Sequence, residues 1–115
     1  MAAQHDLSIW RGADAPRLRF RMPVDGTGSG WRMAVVTPAG RLDFDTLDGS
    51  ITAENVVVDG ETRTLVTIHM TLEQTRMIPP GRLSAYELEQ VEPSGAQRVW
   101  LAGRIIAQGG INSDG

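Results

Sequence analysis

A chain of 115 residues, 41% hydrophobic and 22% charged, has the size and composition of one globular domain, with room for one buried core and not two. The absence of cysteine excludes a disulfide framework, a thiolate zinc site and a cysteine nucleophile. A formal net charge of -3 without a long basic run argues against a broad electrostatic grip on nucleic acid. All 11 basic residues are arginine, which makes planar, bidentate interface contacts more readily than lysine does.

The start, Met1-Ala-Ala-Gln-His-Asp6, lacks the basic and apolar regions of a signal peptide. No apolar run approaches the ~18 residues of a membrane span, so the chain is expected to be made in the cytoplasm and to stay out of membranes. The first expected strand is Leu7 to Arg11, closed by the turn signal Gly12-Ala-Asp14. Arg17 to Met22 follows with strict alternation, Leu18, Phe20 and Met22 facing a core and Arg17, Arg19 and Arg21 facing outward. Asp25-Gly-Thr-Gly-Ser-Gly30 reads as a mobile hairpin tip. The next strand carries Trp31, Met33 and Val35 on one face, and its other face turns apolar towards Val36, which suits a central strand.

Pro38-Ala-Gly40 reads as a turn, and Asp43 to Gly49 as an acidic turn. Ser50 to Val58 and Thr62 to Met70 are two further strands, and the Asp59-Gly60 between them accepts the positive φ angles of a type I′ hairpin. Thr71 to Ile78 breaks the alternation. Thr71 and Gln74 form a capping-box pattern and Pro79-Pro80 stops the turn, so one short helix is expected where the chain passes between sheets. Arg82 to Glu92 and Gln97 to Gln108 complete seven strands. The expectation is an all-β antiparallel sandwich spanning residues 1–108, with a tail over residues 109–115.

For chemistry the inventory is short. Asp43, Asp45, Asp48 and Glu54 imitate the spacing of a calcium loop. Leu47 and Asp48 stand, however, where such a loop needs an oxygen ligand and a glycine, which favours a solvated acidic turn and no metal or other cofactor. His5 and His69 are the only histidines. His69 falls on the more polar face of its strand with no local serine and acid beside it, so the chain is expected not to be an enzyme. Trp10, Trp31 and Trp100 could form a glycan-stacking platform, but core or protein-interface positions suit them better. Together with Arg17, Arg19 and Arg21 they are the candidate interface residues.

The order of the elements resembles the immunoglobulin-like N-terminal domain of phage baseplate upper proteins and related short phage structural proteins. The opening Leu7-Ser-Ile-Trp-Arg-Gly12, then Leu18-Arg-Phe20, Gly49-Ser-Ile51 and Thr64-Leu-Val-Thr-Ile68, carry the first half. The closing half is more specific: Leu72-Glu-Gln-Thr75 leads into Ile78-Pro-Pro-Gly-Arg-Leu83, Tyr86-Glu-Leu88 and Trp100-Leu-Ala-Gly-Arg104. Pro38 to Asp43 stands where the family often has a longer segment with Asp-Leu-Thr-Gly, and the chain stops where baseplate proteins continue. The resemblance implies a non-enzymatic virion protein of the tail, baseplate or neck, docking copies of itself and other virion proteins such as fibres. A capsid decoration or head-fibre attachment protein, or a glycan-binding host-attachment module, are the other readings. Without any family, Tyr86 and Leu88 share one strand face, with the tyrosine hydroxyl expected on a backbone partner, and Gly103 marks a bulge or a close backbone approach.

Overall fold

In a computed structural model, residues 3–11, 17–26 and 28–109 are described, with the side chains of Trp10, Arg11, Arg17 and Gly109 excepted. The expected turn at Gly12 to Asp14 and residues 110–115 of the expected tail lie outside them, whereas Gly109, expected in that tail, ends the last strand. In chain order the elements are β1 (Ala3–Gln4), β2 (Leu7–Arg11), β3 (Arg17–Met22), β4 (Gly30–Thr37), β5 (Gly40–Asp45), β6 (Ile51–Val58), β7 (Glu61–His69), α1 (Leu72–Met77), β8 (Gly81–Val91) and β9 (Gln97–Gly109). They form two sheets. The larger runs β1-β9-β8-β4-β5, with β2 also on β9, and the smaller runs β3-β7-β6.

Alternation explains why these strands pack face to face. Trp31, Met33, Val35, Leu42, Phe44, Tyr86, Leu88, Ile105, Leu7 and Ile9 point inward from the larger sheet. Phe20, Met22, Ile51, Val66 and Ile68 point inward from the smaller one. The polar alternates, Arg19 and Arg21 on β3 and Asp43 and Glu87 on the other sheet, are exposed. The type I′ turn is present, with φ of 52° at Asp59 and 80° at Gly60. Helix α1 carries the capping box: Gln74 N donates to Thr71 Oγ1 at 3.2 Å and Thr71 N to Gln74 Oε1 at 2.8 Å. It joins β7 in one sheet to β8 in the other, as the sequence suggests.

Three expectations about the fold need correction. There are nine strands among the described residues rather than seven, because β1 is present and because Gly40 to Asp45 is a strand and not part of two turns. Leu42 and Phe44 are buried against Val35 and Met33 of β4, while the acidic residues between them face solvent. The sandwich is mixed rather than wholly antiparallel, since β1 and β2 run parallel to β9, a partner that alternation does not specify. Asp25 to Gly30 is not a hairpin tip, because β3 and β4 belong to different sheets. It is pinned by a buried bond from Gly26 N to Thr64 Oγ1 at 2.7 Å. The opening strands lie on β9, and among the described residues one side of β3 has no partner strand.

Tyr86 meets the backbone partner expected of it. Its hydroxyl donates to the His5 carbonyl at 2.5 Å, 81 residues away in the chain. Gly103 makes this possible. A side chain there would collide with the His5 carbonyl, so the sequence signal of a close backbone approach is met literally. Burial, and then the negative charge of Asp6, push the Tyr86 hydroxyl up to about 12 from an ordinary 10.0.

A pH prediction follows with a clean background, because the chain has no lysine or cysteine and a single tyrosine. The folded state holds the tyrosine proton more tightly than the unfolded state. Its contribution is therefore complete below pH 10 and is lost as pH rises towards 12. The loss should amount to roughly 1–3 kcal/mol. Denaturant midpoints measured from pH 9 to 12 should fall for the natural chain and stay nearly flat for Tyr86→Phe. Parallel curves would remove Tyr86 as the cause.

Candidate docking surface

The placement of the opening strands on β9 shapes the surface beside β3. Among the described residues β3 pairs only with β7, so its other edge is unpaired there, and beside it lies a groove of about 500 Å³. One wall is β3 itself, with Arg19 and Arg21 on the rim and Phe20, Met22 and Pro23 below. The other wall is Ala3 and His5 from the opening segment with Trp100 and Leu101 from β9. The floor is apolar and the rim cationic, and among the described residues no carboxylate lines it.

Trp100 is held in place from three sides. A register shift between Leu88 and Glu89 inserts one extra residue in β9 at this point. The indole N–H donates to Gln90 Oε1 at 3.0 Å, Gln90 Nε2 donates to Ser29 Oγ at 2.8 Å, and the Arg98 guanidinium stands 3.9 Å over the ring. A large aromatic side chain fixed before any partner arrives loses little rotamer freedom on binding. Gln90 and Arg98 were not legible as part of a site. Arg98 lies two residues before Trp100 on β9 and Gln90 on the neighbouring β8, and only the register between the two strands brings Gln90 to the other two.

Of the sequence candidates, the fold thus brings Arg19, Arg21 and Trp100 to one groove. Trp31 is a correction: it is 0% exposed, pointing inward with Met33 and Val35, so it belongs to the core and to no interface. Its indole N–H finds no acceptor among the described residues. The backbones of Arg17 and Trp10 pair with His69 and Gln108, and their side chains are outside the described set.

The acidic candidates divide. Asp43, Asp45 and Asp48 border one hollow on the outer face of the larger sheet, together with Glu87 and Glu89, whereas Glu54 lies on β6 in the other sheet. Each of the three aspartates already has a local task. Asp43 pairs with Arg41 at 2.8 Å, Asp45 accepts from Leu47 N at 2.9 Å, and Asp48 accepts from Ser50 N at 2.8 Å. The Ser50 hydroxyl and amide hold the Asp48 carboxyl below its usual range. Among the described residues no group of three or more acidic or histidine side chains is placed to hold a metal ion. His69 lies 2.9 Å from the Thr52 hydroxyl on the outer face of the smaller sheet, and His5 borders the docking groove.

The smaller sheet has a second open edge at β6. Apart from Ile51 its residues are exposed or half-buried on both faces, Val57 at 72%, so this strand and the hairpin that follows project beyond the core. No protein-family model matches the chain, and no curated protein matches it significantly.

Proposed function

We propose that this chain is a structural protein of a bacteriophage particle, an assembly or adaptor domain of the tail, baseplate or neck that docks other virion proteins and carries out no catalysis. The observation that carries the docking part of this reading is the groove beside the unpaired edge of β3, where a clamped Trp100 and two exposed arginines surround an apolar floor. An extended segment added along β3 gains main-chain hydrogen bonds from the edge and side-chain burial from the groove. The phage setting rests on the resemblance of Leu72 to Arg104 to the closing half of the baseplate domain family. The glycan reading has less support, because Arg98 already covers one face of Trp100 and Trp31 is inside the core.

The test is direct. Purified particles of a phage encoding this chain should contain it in fixed stoichiometry by mass spectrometry, with matching density at the tail, baseplate or neck. Absence from the purified particle would reject the reading, and density on the capsid shell would move it to the decoration class.

A further inference from the structure

Among the described residues the smaller sheet has no partner strand at either edge, and the two edges are complementary. In β7, His69 N donates to Ser50 O at 2.8 Å, which fixes the alternation: odd-numbered residues of β7 bond towards β6, and even-numbered ones towards β3. The backbone groups of Arg19 and Arg21 therefore point out of the free edge of β3, and those of Ile51, Ala53 and Val57 point out of the free edge of β6. We propose that the groove beside β3 receives strand β6 of a second copy of this chain, so that the three-stranded sheets of successive copies join head to tail into one continuous sheet. This rests on the reading of the groove as a docking site and names its occupant.

Side-chain chemistry agrees on both faces. Ala53 and Val57 lie on the inward side of β6, in register with Val66 and Thr62, yet they are exposed because the larger sheet does not cover them. With the sheets joined in the same orientation, that inward side continues over the groove floor of Phe20, Met22, Trp100 and Leu101. On the outward side Glu54, the one charged residue of β6, comes alongside the Arg19 and Arg21 rim, which has no ion pair among the described residues. Strands β3 and β6 both run antiparallel to β7, so the new pairing is parallel.

The like-with-like alternatives are disfavoured. A β3 to β3 contact sets arginines against arginines, and an antiparallel β6 pair centred on the strand sets Glu54 against itself. What remains is a heterologous contact, which closes into a ring or grows as a filament.

Sedimentation of the purified chain over a concentration series tests this. The natural chain should form oligomers. Arg19→Glu/Arg21→Glu and, separately, Glu54→Arg should each weaken association by about tenfold or more, since each makes both edges the same sign. Mixing these two variants should restore it. Ala53→Pro should abolish it while thermal unfolding stays near that of the natural chain, because the lost N–H faces away from β7. A chain monomeric at every concentration, a mixture that stays monomeric, or an Ala53→Pro variant that associates normally would overturn the proposal. Particle composition answers the virion reading separately.

Discussion

Gly103→Val is expected to lower the melting temperature by roughly 10 °C or more. The first heavy atom of the new side chain falls on the His5 carbonyl, and a backbone obstacle cannot swing aside as a flexible side-chain end can. The opening segment must then leave β9. With it go the bond from His5 N to Ala102 O at 2.9 Å, the Tyr86 hydroxyl bond at 2.5 Å and the bond from Arg104 N to Asp6 Oδ1 at 3.0 Å. Tyr86 is almost wholly buried, so its orphaned hydroxyl adds a desolvation cost to the lost bonds. Together these come to about 3–4 kcal/mol. Calorimetry gives the total, and amide exchange at His5 and Arg104 should accelerate while the rest of β9 stays protected. A change of less than about 3 °C would show that the two backbones do not run so close.

Thr64→Val should cost about 2–3 kcal/mol despite nearly equal volume. The Thr64 hydroxyl is buried inside the smaller sheet and serves the crossing between β3 and β4 twice, accepting from Gly26 N at 2.7 Å and donating to Val24 O at 3.0 Å. Valine fills the space and leaves both backbone groups without that partner. Thr64→Ser keeps the hydroxyl and loses only a methyl, so it should cost about half as much or less. Urea unfolding of the three chains separates the two terms. Equal losses for serine and valine would mean that packing, not the hydroxyl, holds the crossing.

These two sites also show what the sequence made legible and what it did not. Strict alternation over Leu18, Phe20 and Met22, and over Trp31, Met33 and Val35, specified inward faces, because a pleated strand offers only two. Asp59-Gly60 and the Thr71/Gln74 pair specified a turn and a cap, because each is a local geometry with a local residue requirement. β5 was hidden because its aspartates resemble a turn when Leu42 and Phe44 are not seen against β4. The site was half visible. Arg19 and Arg21 announced an exposed face, but their meeting with Trp100 depends on which strand the opening segment joins. Parallel pairing over about a hundred residues leaves no periodic mark in either partner.

That pairing has a kinetic consequence. Among the described residues β1 and β2 pair only with β9, the last strand among them. A chain emerging from the ribosome can form the hairpin of β6 and β7 early, but its opening strands must wait until β9 is out. Contacts of such long sequence separation close slowly. Until then the β3 and β6 edges and much of the larger sheet's inner face are open together. Folding of this domain is therefore expected to be limited by capture of its first residues by its last strand, and a chain truncated before Gln97 should remain an open, sticky intermediate.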